Sequence, residues 1–327
     1  MHGELAPDYG IDEVILICVV RNGAYYVDSF VNHHVSLGIR HIVFLDNDST
    51  DDTVKLASAH DRVTVLSTKL PYRDYENLMK AYLARRFSRG RWNLCCDIDE
   101  FFDYPSSDRI PIAAFLRYLN ERGFSAVVAQ MLDLFSDGPL SSLRDDPRTA
   151  LDRAYDHYDT EHIVRDDYVW STLSSDAVKM HYGGVRKAVF GTMNGLTKAA
   201  LVLVRDEIRL FRDWHHAENA LVADLTCVLR HYPFTASFYE KVREAARTGR
   251  YGFVTSDEYR TYWDVLSKDP GLNLRLPTAR KYSGTEQLLR EGFLVASREY
   301  LDWVESHPTS GEPPGHPRER PDGKALA

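Results

Sequence analysis

Short apolar runs and amphipathic stretches alternate four times within the first hundred residues, and this alternation limits the possible folds more than any other feature of the chain. Residues 14–20 are a continuous aliphatic run that stops at Arg21-Asn22-Gly23, the pattern of a buried strand followed by a tight turn. Residues 25–37 carry Val27, Phe30, Val31 and Leu37 at helical spacing and close on Gly38, as an amphipathic helix does. Residues 42–45 predict a second strand, 53–60 a short helix and 63–66 a third strand. Asp74 is placed to cap a helix over 75–89, closed by Gly90, and residues 92–96 form the fourth apolar run. Such alternation predicts an open, doubly wound parallel sheet with helices on both faces.

The fourth run stops abruptly at Asp97-Ile98-Asp99-Glu100. In open α/β sheets, ligands sit beyond the carboxyl ends of the strands, so Asp97 and Asp99 belong at the mouth of a site. Hard carboxylate oxygens at this spacing suit one Mg²⁺ or Mn²⁺ ion, with a diphosphate supplying further oxygens. The second strand also runs into acid, Asp46-Asn47-Asp48-Ser49-Thr50-Asp51-Asp52, although Asp and Ser equally favour a plain turn and helix cap there. Two acidic loops suit a nucleotide diphosphate bridged by a cation, one loop holding base and ribose and the other the metal. A dinucleotide fold would instead place a glycine-rich loop after the first strand, and Arg21-Asn22-Gly23 is not one. There is no Walker A motif.

Beyond Phe102 the pattern loosens. Residues 112–122 predict a helix closed by Gly123, and 126–131 a strand. From 133 to about 180 the sequence is charged and rich in Tyr and Asp, as a functional lid or acceptor loop would be. Strand-like pieces recur at 189–204 and 208–211. Helical patterns occupy 238–247, 258–266 and 285–304, and the proline-rich, charged tail predicts disorder. The expected organisation is a catalytic domain over 1–235, its nucleotide-binding half at about 13–103 and its acceptor or lid half at about 104–235. A helical C-terminal extension over 236–304 and a tail over 305–327 follow. A net charge of -8 argues against nucleic acid as a partner. No run approaches about 18 apolar residues, so no spanning helix is expected. The four cysteines read as reduced core thiols, and with no signal-peptide pattern over 1–12 the expected compartment is the cytoplasm.

Several of these segments, in order, resemble the GT-A glycosyltransferases of the family-2 type. They are Val19-Val20-Arg21-Asn22, then Asp46-Asn47-Asp48-Ser49-Thr50-Asp51-Asp52-Thr53, then Asp97-Ile98-Asp99-Glu100-Phe101. The likeness is to a bacterial branch with a D-x-D-E-F metal motif, and it continues through Met131 to Leu140, Gly183-Gly184-Val185-Arg186-Lys187-Ala188-Val189-Phe190, Thr197-Lys198, His215, and Leu229-Arg230-His231-Tyr232. The resemblance implies a mixed α/β sheet flanked by helices, with a helical C-terminal extension. It implies metal-dependent transfer of a sugar from a nucleotide-diphosphate donor to a hydroxyl-bearing acceptor. Asp99 would then bind Mn²⁺ or Mg²⁺, and Asp97 would face the ribose or the metal's water shell. His215 or His231 would complete the coordination, with His215 favoured because a strand-like segment precedes it; His216 is an unmatched neighbour. Arg21, Asn22, Asp46, Asn47 and Asp48 match positions that hold base and ribose.

The same resemblance lets Gly183-Gly184 bring the backbone close to sugar or phosphate, with Arg186 adding positive charge. An inverting transfer also needs a carboxylate base, for which Asp133 is chosen over Asp137, Asp213 and Glu218. Two positions depart from the pattern. Gly23 stands where an acidic residue is usual, and Ala199 where a proline is. Gly23 keeps open a degenerate domain that binds nucleotide or glycan without turnover. A phosphohydrolase of the haloacid-dehalogenase type would want Thr or Val where Phe101 stands, and a nucleotidylyltransferase a glycine-rich basic first loop.

Overall fold

The computed structural model describes residues 1–146, 150–212, 215–249 and 251–307. The first hundred residues fold as the alternation predicts. Strands β1 (Val14–Val20), β2 (His41–Asp46), β3 (Val63–Ser67) and β4 (Trp92–Cys95) pair in parallel in the order β3-β2-β1-β4. Helices α1 (Val27–Ser36), α2 (Thr53–Ala57) and α3 (Tyr72–Ser88) connect them. The unbroken aliphatic run of β1 follows from burial on both faces. Val14, Leu16, Cys18 and Val20 enter one core with α1, whereas Ile15, Ile17 and Val19 enter a second with Met79, Leu83 and Phe87 of α3. The four cysteines are free thiols.

The sheet then changes character. It continues through β5 (Glu100–Asp103), α4 (Ile112–Glu121), β6 (Ala126–Asp133), β7 (Thr172–Leu173) and α5 (Val185–Phe190). β8 (Thr197–Leu203) and β9 (Leu221–His231) complete a nine-stranded sheet ordered β3-β2-β1-β4-β8-β6-β9-β5, with β7 beside β9. β8 is antiparallel to both neighbours, while β6 and β9 are parallel to each other. The result is a mixed α/β sheet flanked by helices. α6 (Phe238–Thr248) and α7 (Phe253–Leu266) pack on Phe135, Val185 and Phe190 in a core of their own. α8 (Thr285–Arg290) and α9 (Arg298–Ser306) return to the main core, where Tyr300 meets Phe115 and Tyr118.

Several expectations need correction. α3 begins at Tyr72 behind Pro71, so Asp74 lies inside the first turn and favours the positive helix end rather than capping it. Val189 belongs to helix α5, because Gly191 at φ 75° ends that helix before β8 starts. Residues 208–211 form no strand; the chain turns there, with Phe211 at φ 52°. The single helix expected over 285–304 is two, parted near Gly292 at φ 67°. β9, the longest strand, was not anticipated, since Asp224, Thr226 and Arg230 interrupt its apolar run. Asp224 is tolerated inside because Tyr118 donates to it at 2.7 Å. No described helix is long and apolar enough to cross a membrane. Nearly all of the tail expected to be disordered, from residue 308 on, lies outside the described residues.

Candidate active site

The carboxyl ends of β1, β2, β4, β6 and β9 share one rim of the sheet, and the antiparallel β8 brings its first residues to the same rim. Register fixes who meets whom: His231 of β9 pairs with Asp133 of β6 on one side and Glu100 of β5 on the other. Lys198, second in β8, reaches Asp97 Oδ2 at 2.8 Å and Glu100 Oε1 at 2.5 Å. Lys80 of α3 reaches Asp97 Oδ1 at 3.3 Å and Glu76 at 2.7 Å. Both lysine side chains are almost fully enclosed. Burial alone would raise the Asp97 carboxyl, but Lys198 and Lys80 outweigh it and hold Asp97 well below the usual carboxylate range.

Asp99 faces the other way. Its Oδ2 lies 3.7 Å from His231 Nε2 and 3.5 Å from Lys241 Nζ of α6. Against burial, Lys241 and His231 keep it ionised, with the carboxyl held well below its ordinary value. His231 Nδ1 lies 2.7 Å from Asp133 Oδ1, and Arg186 grips both Asp133 oxygens at 2.7 Å through Nε and Nη2. Burial works against a charged imidazole, yet Asp99 and Asp133 prevail and lift His231 to about 9. So charged, His231 donates from Nδ1 to Asp133. The 2.8 Å approach of Arg186 to that nitrogen is then two cations meeting across one carboxylate, not a hydrogen bond. Asp133 stays ionised despite burial, held low by Arg186 and His231.

The two loops at the first strand ends are knitted together. Asn22 Oδ1 accepts from Thr50 N at 2.8 Å, and Asn22 N donates to Ser49 Oγ at 2.9 Å. Asp46 is buried and accepts weakly from Ser49 N, while Asn47 donates to Leu70 O at 2.9 Å. Asn22 (φ 53°) and Asp48 (φ 63°) adopt the left-handed conformation, and Arg21 and Asp48 are exposed at the rim. Left-handed backbone of this kind occurs both in tight turns and at ligand clamps. A Cβ on Gly23 would meet Ile98 Cγ1 at 2.9 Å, so the missing acid leaves room for the residue between Asp97 and Asp99. Gly184, at φ 60° and ψ -143°, occupies a region open to glycine alone, and that turn starts α5 where it aims Arg186 at Asp133.

His215 is half-buried, and its backbone oxygen accepts from Ala199 N at 2.8 Å. Burial and the nearby Lys198 and Lys80 hold its imidazole neutral, on the Asp97 side of the motif. No strand over 208–211 delivers it. Of the other candidate bases, Asp137 pairs with Arg275 and Glu218 with Arg209 and Arg212, whereas Asp213 lies outside the described residues. Among the described residues, no three His, Cys, Asp or Glu side chains gather closely enough to hold a metal by themselves.

Sequence reasoning missed what α6 and α7 contribute. A cavity of about 90 Å³ is lined by Asp99, Arg186 and His231 from the sheet side and by Lys241, Glu258 and Tyr259 from these helices. Burial raises the Glu258 carboxyl although Arg186 opposes it. The helical patterns were legible, but no periodicity says which helix face meets a site.

No family model matches the chain, and no curated protein matches it in sequence. Among solved structures it is similar to S. aureus TarS 1-349 in complex with UDP, at 15% identity and a TM-score of 0.28, over 38% of this chain and 36% of that one. It is also similar to glucosyl-3-phosphoglycerate synthase from Mycobacterium tuberculosis with Mn²⁺, UDP and glucosyl-3-phosphoglycerate, at 18% identity and 0.24, over 37% and 44%. A nucleotidyl transferase from Methanothermobacter thermautotroptrophicus shares 14% identity at 0.22, over 42% and 67%. The chain spans less than half the length of the first two. Overlaps this partial fix neither a donor nor an acceptor for this chain.

Proposed function

We propose that the chain is a GT-A glycosyltransferase that moves a sugar from a nucleotide-diphosphate donor to a hydroxyl-bearing acceptor. One observation carries the reading: Asp99 Oδ2 and His231 Nε2 face each other 3.7 Å apart at the sheet rim, with Asp133 behind Nδ1. A carboxylate on the far nitrogen of an imidazole is the usual support of a metal-bound histidine. A carboxylate oxygen and an imidazole nitrogen are both donors that Mn²⁺ and Mg²⁺ sites use. These donors fit such an ion, provided that phosphate and water oxygens complete its shell. Asp99 and His231 would hold it, while Asp97 and the neutral His215 lie on the other side of the motif. Bound there, the ion supplies Lewis-acid stabilisation of the charge on the leaving diphosphate.

The chain's own residues do the rest. Arg21, Asn22, Asp46, Asn47 and Asp48 form the base and ribose end. Gly183 and Gly184 set the turn that places Arg186, and Arg186 clamps Asp133 so that Asp133 orients His231. With both oxygens engaged, Asp133 is a positioning residue rather than the base chosen from sequence. Glu258, the other carboxylate on the cavity beside Asp99, takes the acceptor's proton.

A thermal-shift panel of UDP, GDP, CDP, ADP and TDP, each with and without Mn²⁺, tests the reading. The expected result is one nucleotide that raises Tm only with metal and loses that effect in Asp99→Ala. No shift with any of them would overturn it.

A further inference from the structure

The cations around the rim differ in how tightly they are held. Lys80 and Lys198 are enclosed and close ion pairs of 2.5–2.8 Å with carboxylates. Arg186 is 11% exposed and occupied by both oxygens of Asp133. Lys241 is different. Its side chain is 39% exposed, lines the cavity with Asp99 and His231, and makes one long contact of 3.5 Å to a single Asp99 oxygen. Phe238, Val242 and Ala245 anchor α6 in its core, so the helix that carries Lys241 is fixed while the ammonium is loosely held.

We propose that Lys241 is the residue that contacts the distal phosphate of the donor's diphosphate, which makes the α6–α7 pair part of the donor site. The assignment rests on the glycosyltransferase reading. A diphosphate entering the rim meets fixed ion pairs on the β4 and β8 side and one weakly held cation on the α6 side. Exchanging the 3.5 Å contact to Asp99 for a charge-assisted hydrogen bond to phosphate leaves Asp99 for His231 and the metal. In the transfer, the sugar's bond to the distal phosphate breaks with its electron pair left on the phosphate oxygen. The acceptor oxygen bonds to the sugar carbon, and its proton goes to Glu258. The Lys241 ammonium, already on the cavity beside Asp99, offsets the growing charge.

Isothermal titration calorimetry on the full chain with Mn²⁺ tests this. The probes are UDP, GDP, CDP, ADP and TDP and the matching monophosphates, with folding of each variant checked by circular dichroism. Lys241→Met should weaken diphosphate binding roughly tenfold to a hundredfold, the effect of losing one charged hydrogen bond. Monophosphate binding should stay within about threefold of wild type, and Lys241→Arg should restore most of the diphosphate affinity. Diphosphate affinity unchanged in Lys241→Met would overturn the assignment alone, as would equal losses for mono- and diphosphates. Wild-type protein that binds none of the nucleotides would instead overturn the donor reading on which it rests.

Discussion

Lys198 shows how the rim is held and what a sequence hides. It neutralises Asp97 and Glu100 from inside the sheet, 101 positions along the chain from Asp97. The Asp97 and Asp99 pair was legible because an apolar run switched to acid within one residue, and strand direction then placed both at the mouth. Their cationic partners were not, since ion pairing across such separations leaves no period or local pattern. His231 was legible only as one of two candidates, and its register against Asp133 left no trace in the sequence. Replacing Lys198 by Met leaves Glu100 without its cation and Asp97 with Lys80 alone in a closed site. That change should cost about 3–5 kcal/mol, the range for breaking a buried ion pair from one side, and appear as a lowered Tm. Glu258→Gln should slow sugar transfer about 10²–10⁴-fold while nucleotide affinity holds, measured by steady-state kinetics beside calorimetry.

Among the elements, the β1–α1 turn and the acidic loop after β4 were read separately, yet they share space. Gly23 sits against Ile98 and Val20, and its amide donates to Thr53 Oγ1 at 2.8 Å. A side chain at 23 would therefore crowd Ile98 and Val20, a packing demand that sequence alone presented as a lost contact to the base. Gly23→Asp should press on Ile98, lower stability by about 1–3 kcal/mol as overpacking does, and give no gain in nucleotide affinity. Denaturant unfolding and the nucleotide panel check both halves. The first four strands were legible because each is a short, mostly apolar run that is largely buried. β9 was not, because its polar residues find partners such as Tyr118 only after folding.

At the scale of the molecule, the rim concentrates ionised groups whose burial is offset by one another, so stability should follow pH in a predictable way. Asp97, Asp99 and Asp133 are held below their ordinary values. Their contribution is therefore present above the unfolded carboxylate pKa of about 4 and is lost as pH falls through the folded values. His231, lifted to about 9, contributes fully below its unfolded pKa of about 6.5, and that share is lost as pH rises through 9. His33, His34, His181 and His215, kept neutral by burial, add a loss that begins as pH falls through about 6.5, so metal-free protein should show its highest Tm at about pH 6.5, with a fall on each side. Tm measured from pH 3 to 10 checks this, and His231→Gln should flatten the alkaline fall.

β8 runs against its neighbours, and so it delivers its first residues to the place where β4 and β6 deliver their last. The strand therefore works as a ruler between two half-sheets. Sliding β8 toward its own amino end lifts Lys198 past the carboxylates, and the same slide of β4 lifts Asp97 past the lysine. A two-residue insertion within one strand alone therefore parts Lys198 from Asp97. Length changes in this chain should consequently be tolerated on the opposite edge of the sheet, where these strands begin or end away from the site, and hardly at all along this seam.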